Sequence, residues 1–332
     1  MNGKEMAKHR INWNFLLRQY GTQITMALVL LGMCVILSIA SPYFLQKSNI
    51  LNIGVSFSVS GTMAAGLTVV MLMGCMDLSQ YSAMALIGML VGMMLEAGLN
   101  AWLAILGGIL LGVAIGAVNA FITTRMRIVP MIATISTQLM CRAAAYLVKN
   151  GSYVRVTDPL FDRIGFGRLF GVNYLVYIVL AVFLIIGYVL KNTTFGRKVY
   201  AVGGNQIASE LSGINVVRLK YIGFMISGAT AGIAATLITA QVAAAMPTAG
   251  AGNEMDGIAA VFLGGVAFTG GKGYVGGTLI GVLILTVLSN GMTLLNIPPY
   301  YQQLTKGAVL LLSVYMDAVR TQANASRRIK GA

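Results

Sequence analysis

Three acidic side chains draw attention because they lie in or beside apolar stretches of the chain. Asp77 sits in GCMDLSQYSA between two apolar runs, and Glu254 and Asp256 sit in GNEMDGIAA before a short one. An ionisable group inside a membrane is costly, so it marks a candidate solute or ion pathway. The simpler alternative is that Asp77 and Asp256 begin helices, where a carboxylate caps free N–H groups. The residues favour capping somewhat and leave both roles open.

Uncharged polar side chains accompany these acids. Hydroxyl and amide groups inside apolar runs can line a hydrated path for a solute rich in hydroxyls, although they more commonly bond neighbouring helices together. Both uses stay open at this point. The candidate pathway residues are therefore Asp77, Ser79, Asn119, Glu254, Asp256 and Asn290.

Other kinds of chemistry find little support in the residue types. His9 is the only histidine, and Cys34, Cys75 and Cys141 lie in or at the end of apolar runs, which disfavours a metal site or a catalytic set. The glycine-rich stretch 264–278 lacks the spacing of a phosphate-binding loop. The net charge of +14 is spread over chain ends and loops, unlike the basic face of a nucleic-acid-binding protein. We expect no cofactor, metal or catalytic residue in this chain and no nucleic-acid partner.

The elements that must position these residues are membrane helices. Of the 332 residues, 57% are hydrophobic and 10% are charged, whereas about a quarter are charged in soluble domains. The apolar runs reach the ~20 residues that a helix needs to cross a bilayer and do not alternate like barrel strands. Ten spans are predicted at 22–40, 52–73, 80–97, 101–122, 128–148, 173–190, 219–243, 257–268, 275–295 and 302–318. The eighth run is too short to cross alone, which predicts a short or re-entrant helix.

Lysine and arginine set the predicted orientation. The N-terminal tail (1–21) and C-terminal tail (319–332) are basic, and Arg125, Arg127 and segment 191–218 fall on the same side when the spans are counted. Cytoplasmic loops carry the positive charge, so both tails and segment 191–218 are predicted to be cytoplasmic. A single transmembrane domain (22–318) lies between the tails.

The two halves of the chain resemble each other. GILLGVAIG (108–116) is similar to GTLIGVLIL (277–285), and Pro130 and Pro299 follow at the same spacing. Because five spans is an odd number, the halves have opposite orientations, which is the inverted repeat found in many transporters. The alternative is chance similarity among glycine- and leucine-rich segments, and the matched spacing favours the repeat.

The polar stretch FGRKVYAVGGNQIASELSGI (195–214) interrupts the apolar runs. A flexible turn, an N-cap and a C-terminal stop are predicted at Gly203-Gly204, Asn205 and Gly213. The helix between them is about two turns long, too short to be stable in water alone. It carries a small apolar face formed by Ile207, Ala208 and Leu211. The residues leave two interpretations open: the helix lies on the lipid surface, or it docks into a cytoplasmic partner protein.

NTTFGRKVYAVGGNQIASELSGINV (192–216) resembles the cytoplasmic coupling segment of bacterial ABC-importer permeases for monosaccharides of the ribose, galactose, arabinose and xylose type. EMDGIAAVFLGGVAFTGGKGYVGGTLIGVLIL (254–285) resembles the C-terminal signature of that family. The resemblance implies an inner-membrane subunit with ten helices that works as a homodimer or paralogous heterodimer. It also implies a cytoplasmic ATPase subunit, which holds ATP and magnesium, and an extracytoplasmic solute-binding protein.

The resemblance also implies roles for single residues and a function. The expected coupling residues are Phe195, Gly196, Arg197, Gly203, Gly204, Asn205, Ala208, Leu211 and Gly213. The expected function is import of a sugar or sugar-like polar solute by alternating access. The family's Gly-Gly-Ile-Asp-Leu-Ser-Val-Gly-like stretch here reads GCMDLSQY (74–81), which leaves the specific sugar open. The alternative is an ion-coupled secondary transporter that uses Asp77 and Asp256, and a membrane-embedded enzyme is disfavoured.

Overall fold

A computed structural model describes residues 13–330 of the chain, with side chains described for residue 21 and residues 23–315. Helices dominate this part of the chain. They are α1 (Trp13–Ala40), α2 (Lys47–Leu72), α3 (Gln80–Glu96), α4 (Ala101–Thr124), α5 (Pro130–Leu147), α6 (Pro159–Phe166), α7 (Tyr174–Asn192), α8 (Thr194–Gly204), α9 (Gln206–Leu211), α10 (Val216–Val242), α11 (Asp256–Leu263), α12 (Val275–Leu294) and α13 (Pro299–Lys330). Four short strands are β1 (Val154–Arg155), β2 (Arg168–Leu169), β3 (Val172–Asn173) and β4 (Ala244–Ala245).

Each of the ten predicted spans overlaps one of these helices. Six of the described helices are long and apolar enough to cross a membrane: α1, α2, α4, α7, α10 and α12. The prediction of an all-α membrane protein is therefore confirmed. Helix α1 begins at Trp13 and α13 continues to Lys330, so parts of both predicted tails are helical, while residues 1–12 and 331–332 lie outside the described residues.

The helices run back and forth between two ends of a bundle, which we call the α9 end and the α6 end. At the α9 end, the N–H of Gly271 donates to the carbonyl of Leu72 at 2.8 Å, and Gly203 of α8 lies against the same carbonyl. At the α6 end, β1 and β4 pair in antiparallel fashion, with Val154 opposite Ala245. The loops α2–α3 and α11–α12 therefore lie beside α8 and α9, at the end opposite α6.

Helices α2 and α10 form the centre of the bundle. Met63, Ala64 and Val70 of α2 are completely buried. Helix α10 packs against α2, α3 and α4, and α2 packs against α10, α11 and α12. Likewise α5 contacts α3 and α4, and α13 contacts α11 and α12. The neighbours of α2 and α5 thus correspond to those of α10 and α13.

Glycines bring α4 and α10 into direct backbone contact. A Cβ at Gly112 would overlap the carbonyl of Gly228, and a Cβ at Gly228 would overlap the carbonyl of Gly112. Gly116 faces the carbonyl of Phe224 in the same way one turn further along. Small residues allow this close approach between helices in a membrane. Glycine at these positions is therefore what allows α4 and α10 to pack this closely.

The eighth predicted span is a short helix between irregular segments. Helix α11 has eight residues, which is about 12 Å of helix and less than half the thickness of a bilayer core. Residues 243–255 form β4 and turns before it, and Gly270, Gly271 and Gly273 have φ values of 83°, 72° and 132° after it. Because α10 ends at the α6 end and α12 begins at the α9 end, this segment passes through the bundle and does not return to the end it came from.

Candidate solute pathway and coupling site

Asp77 lies at the centre of a sealed cluster of polar side chains. It is 3% exposed, and its two carboxylate oxygens accept hydrogen bonds from the Ser79 and Ser227 hydroxyls, both at 2.6 Å. The Asn119 amide donates to the Ser79 hydroxyl at 2.8 Å, and the Gln80 amide donates to the Ser227 hydroxyl at 2.8 Å. The cluster joins the start of α3 to α4 and α10. Three of the predicted pathway residues, Asp77, Ser79 and Asn119, are thus brought together.

Neither acidic residue caps its helix in the predicted way. The N-cap of α3 is Ser79, and the Asp77 carboxylate accepts from the Ser79 N–H at 3.1 Å instead of from an N–H of the first turn. Asp256 is itself the first residue of α11, whose N-cap Met255 makes no side-chain cap bond. Both acids thus lie at a helix N-terminus as predicted, with Asp77 accepting from the N–H of the N-cap residue and Asp256 in the first turn, but neither side chain accepts from a free N–H of the first turn.

A polar cavity of about 320 Å³ lies in the half of the bundle nearer the α6 end, between α2, α11, α12 and α13. Its hydroxyl-bearing lining residues are Ser56, Ser60, Thr286, Ser289 and Thr293. Its amide-bearing lining residues are Asn253 and Asn290, and its charged ones are Asp256 and Lys306. Two predicted pathway residues, Asp256 and Asn290, therefore face this cavity, whereas Asp77, Ser79 and Asn119 do not line it.

The acids that flank the break before α11 form two ion pairs. The Asp256 carboxylate lies 2.6 Å from the Lys306 ammonium of α13, and the Lys306 ammonium also lies 3.4 Å from the Asn253 amide oxygen. Glu254 pairs with Arg142 of α5 at 3.4 Å. Because Glu254 points to α5, it is not among the residues that line the cavity. The segment before α11 is thus held from two sides by opposite charges.

Asn290 is fixed by a reciprocal amide pair. The Asn49 amide nitrogen donates to Asn290 at 3.0 Å, and the Asn290 amide nitrogen donates to Asn49 at 2.8 Å. This pair connects the start of α2 to α12 at the cavity. Asn290 therefore both bonds helices together and borders the cavity, so the two uses considered for it coexist.

Helix α8 is anchored in the bundle at the α9 end. Its buried residues Gly196, Val199 and Val202 share one face, and the Tyr200 hydroxyl donates to the Gly273 carbonyl at 3.0 Å. Burial, with a contribution from Tyr274, raises the pKa of Tyr200 to about 12, so this hydroxyl keeps its proton at physiological pH. Helix α8 is therefore docked firmly on the glycine-rich loop between α11 and α12.

The expected flexible turn at Gly203 and Gly204 is not present. Both residues complete α8, and a Cβ at Gly203 would overlap the Leu72 carbonyl and the Gly271 nitrogen. Gly204, in contrast, has no atoms near the place of a Cβ. Glycine is needed at 203 for close backbone packing, and this requirement depends on distant segments that the local pattern does not reveal.

Helix α9 has the predicted boundaries and an exposed apolar face. The Asn205 side chain accepts from the Ala208 N–H at 3.0 Å, as an N-cap does, and Gly213 has a φ of 82° at the C-terminal stop. Ile207 is 72% exposed and Leu211 is 85% exposed. Of the other expected coupling residues, Phe195 is half-buried and Arg197, Asn205, Ala208 and Gly213 are exposed. Helix α9 thus presents apolar side chains that the described residues of this chain do not cover.

Comparison with known proteins identifies the kind of protein. Residues 49–314 match the family described as "Branched-chain amino acid transport system / permease component". The chain belongs to this family of permeases. It is 42% identical over 294 residues to the ribose import permease protein RbsC of Escherichia coli K12, covering 87% of this chain and 92% of the relative. No solved structure matches the chain.

Two further relatives are similar along most of their length. The chain is 36% identical over 285 residues to the ribose import permease protein RbsC of Bacillus subtilis, covering 85% of this chain and 88% of the relative. It is 34% identical over 302 residues to the L-arabinose ABC transporter permease protein AraH of Azospirillum brasilense, covering 91% and 89%. The resemblance stated from the coupling segment and the C-terminal signature is confirmed.

Membership of the family distinguishes between the kinds of protein that the sequence left open. The chain is a multi-pass inner-membrane permease subunit of an ABC-type importer, and an importer of this type includes an ATPase and a solute-binding protein. A permease subunit is not an enzyme, because ATP hydrolysis belongs to a separate subunit. The ion-coupled secondary transporter is not favoured.

Sequence reasoning missed several residues of these sites. Lys306 and Arg142 were not recognised as partners of the acids, although a lone cation inside an apolar span is a signal for a buried ion pair. Ser227 and Gln80 complete the Asp77 cluster from α10 and α3. A serine in an apolar helix carries no such signal, since most such hydroxyls bond their own helix.

Proposed function

We propose that the chain passes a neutral sugar or sugar-like polar solute from an extracytoplasmic binding protein to the cytoplasm by alternating access. The observation that carries the proposal is the lining of the cavity, where hydroxyl and amide groups surround two charges that neutralise each other. Neutral donors and acceptors suit the hydroxyl groups of a sugar, each of which can donate and accept a hydrogen bond. The names of the relatives, which import ribose and L-arabinose, agree with this solute class.

The family description raises a second solute class, the branched-chain amino acids. A zwitterionic amino acid carries an ammonium and a carboxylate, and each needs an opposite charge or several donors when it leaves water. In the cavity, the Asp256 carboxylate and the Lys306 ammonium are already paired with each other, 2.6 Å apart. The cavity therefore favours a neutral solute over a zwitterion.

We further propose that the membrane domain (22–318) has ten crossing helices arranged as two inverted halves of five. Support comes from the corresponding neighbours of α2 and α10 and of α5 and α13, together with the repeat in the sequence. With the α9 end in the cytoplasm, the predicted tails are cytoplasmic, and Arg125, Arg127 and segment 191–218 share that side. The cavity then faces the extracytoplasmic half, and the Asp77 cluster closes the cytoplasmic half in this conformation.

The coupling role of α8 and α9 is part of the proposal. The exposed Ile207 and Leu211 need a groove, since burying such a side chain gains about 1.5–3 kcal/mol. The ATPase subunit, which holds ATP and magnesium, supplies that groove. Because α8 is docked against Leu72 and Gly271, movement of α9 reaches α2 and the loop before α12. This coupling segment also includes Phe195, Gly196, Arg197, Gly204, Asn205, Ala208 and Gly213.

A second permease subunit, identical or paralogous, completes the importer.

Solute class is tested by uptake with the assembled importer in proteoliposomes. Purified chain, its ATPase and its binding protein are reconstituted, and uptake of radiolabelled neutral pentoses and hexoses is compared with uptake of leucine, isoleucine and valine. ATP-dependent uptake of at least one neutral sugar, and none of the amino acids, is expected. Uptake of an amino acid without any sugar would overturn the proposal.

A further inference from the structure

The hydroxyl groups that line the 320 Å³ cavity fall into two classes. Thr286 donates to the carbonyl of Val282 at 2.8 Å, and Thr293 donates to the carbonyl of Ser289 at 2.9 Å. A hydroxyl in an apolar helix usually makes such a bond to its own backbone. Within the described part of the chain, three lining hydroxyls do not bond the backbone of their helices: those of Ser56, Ser60 and Ser289. These three are therefore available to a solute in the cavity.

Helix α2 shows the contrast between the two classes within one element. Ser58 and Thr62 are completely buried and donate to the carbonyls four residues earlier, at 2.7 and 2.8 Å. Ser56 and Ser60 are one turn apart and share the face of α2 that borders the cavity. Ser56 is exposed and Ser60 is half-buried. Because α2 runs toward the α9 end, Ser60 lies deeper in the bundle than Ser56.

Tyr81 of α3 lies behind Ser60. It is 4% exposed and does not line the cavity. Its hydroxyl lies beside the Ser60 side chain and the Gly257 backbone, and a Cβ at Gly257 would be 3.7 Å from it. Among the described residues, this hydroxyl has no hydrogen-bond partner at bonding geometry. A buried tyrosine hydroxyl usually has a partner, so this donor is available to Ser60.

The Tyr81 ring is held on both edges. A Cβ at Gly250 would be 2.8 Å from one edge of the ring and 2.9 Å from the end of the Met84 side chain, and a Cβ at Gly257 would be 3.4 Å from the other edge. The ring is thus fixed between α3 and the segments on either side of the start of α11. Its hydroxyl has little freedom to reach another acceptor.

We propose that three hydroxyls, those of Ser56, Ser60 and Ser289, bind the hydroxyl groups of the solute. Tyr81 is a positioning residue for Ser60: its hydroxyl donates to the Ser60 oxygen, and the Ser60 hydroxyl in turn donates into the cavity to a solute oxygen. A hydroxyl both donates and accepts, so Tyr81 fixes which of the two the solute meets at this depth. The site favours a neutral polyhydroxylated solute that offers an acceptor to Ser60. The inference rests on the proposed import of a neutral solute.

The first test measures uptake by the reconstituted importer at limiting concentrations of a neutral sugar. The probe is the pentose or hexose that the native importer takes up best. Ser60→Ala is expected to lower uptake about fivefold, because one hydrogen bond to the solute is lost. Ser58→Ala is the matched control, since it removes a hydroxyl from the same helix that bonds only the backbone. The control keeps native uptake.

The second test separates positioning by Tyr81 from a structural role. Tyr81→Phe keeps the ring and is expected to lower uptake about threefold, with an unchanged melting temperature, because Ser60 loses its orientation. In a Ser60→Ala background, Tyr81→Phe has no further effect, since contacting residues are not additive. A purely structural role would lower uptake by the same factor in both backgrounds.

The third test does not depend on transport. Cys34, Cys75 and Cys141 are replaced by alanine, and the importer without ATP or binding protein is treated with a charged, membrane-impermeant thiol reagent from the binding-protein side. Ser289→Cys is expected to be labelled, and the buried Ser58→Cys is not. An excess of the transported sugar slows labelling of position 289, whereas the zwitterion betaine at the same concentration does not.

Three results would overturn the inference: equal uptake by Ser60→Ala and Ser58→Ala, an undiminished effect of Tyr81→Phe in the Ser60→Ala background, or labelling of position 289 that the sugar does not slow. If the native importer moves no neutral sugar, the proposed function fails and this inference fails with it. If the native importer moves sugar and Ser60→Ala does so equally well, only the assignment of the hydroxyls is wrong.

Discussion

Asp77 and Asp256 occupy comparable places in the two halves of the chain, yet their surroundings differ. Asp77 comes before α3 and is sealed by neutral donors from Ser79 and Ser227. Asp256 begins α11, borders a cavity and is paired with Lys306. The same residue type is thus sealed in a polar core in one half and borders a cavity in the other. The difference shows that a carboxylate within a transporter acquires its role from its partners.

The largest expected effect is a loss of stability when the buried Asp77 cluster is disrupted. Asp77→Leu leaves the Ser79 and Ser227 hydroxyls without their acceptor in a buried site, and each unsatisfied group costs about 1–3 kcal/mol. We expect a loss of roughly 3 kcal/mol in stability, measured as a lower melting temperature of the purified chain in detergent. Asp77→Asn keeps one carbonyl acceptor and is expected to lose much less. Equal melting temperatures for the native chain and Asp77→Leu would contradict the sealed cluster.

The next largest effect is expected at Gly203, whose neighbour Gly204 differs from it in having no other atoms packed against it. Gly203→Ala places a Cβ against backbone atoms of Leu72 and Gly271, whereas Gly204→Ala places one in open space. Overpacking of this kind costs about 1–3 kcal/mol, so Gly203→Ala is expected to reduce both melting temperature and ATP-driven uptake. Gly204→Ala serves as the control and keeps both. Native behaviour of Gly203→Ala would show that α8 is not docked as described.

A smaller effect is expected on the cavity side. Thr286→Val removes one lining hydroxyl, and loss of one hydrogen bond to the solute lowers uptake at limiting solute about fivefold. Thr236→Val on α10 is the control, because Thr236 is buried and does not line the cavity. Its uptake is expected to match that of the native chain. Equal uptake by the two valine variants would argue that solute does not touch the cavity wall at α12.

The smallest effect on the isolated chain is expected at α9. Leu211→Ser changes a side chain that is 85% exposed, and such surface changes stay within about 0.5 kcal/mol. Its melting temperature is therefore unchanged, while copurification of the ATPase from solubilised membranes falls. Glu210→Gln, on the same helix, is the control and retains the ATPase. Full recovery of the ATPase with Leu211→Ser would favour the alternative in which α9 only lies on the lipid surface.

Much of the fold follows from local patterns. Apolar runs located each predicted span, and Asn205 and Gly213 marked the ends of α9 because caps and left-handed stops depend on neighbouring residues. The partners of Asp256 and Asp77 could not be found in this way. Lys306 lies 50 residues from Asp256, and Ser227 lies 150 residues from Asp77. Such contacts depend on how the two halves of the chain pack together.

The same reasoning explains how the structure differs from the local expectations at Asp77, Asp256 and Gly203. Asp77 and Asp256 were expected to cap helices because the local sequence contains acids before apolar runs. The nearby Ser79 hydroxyl, the distant Ser227 hydroxyl and the distant Lys306 ammonium take up these oxygens, and their contacts are shorter than the one from the Ser79 N–H. Gly203 was expected to permit a turn, although its requirement arises from the backbone of Leu72 and Gly271.

The most direct test of the account is the energy source of uptake. Proteoliposomes containing the chain, its ATPase and its binding protein are loaded with ATP, and neutral sugar uptake is measured with and without ionophores that collapse proton and sodium gradients. The account predicts uptake that requires ATP and is unchanged by the ionophores, because neither Asp77 nor Asp256 couples an ion. Uptake that continues without ATP and stops when the ion gradients collapse would contradict it.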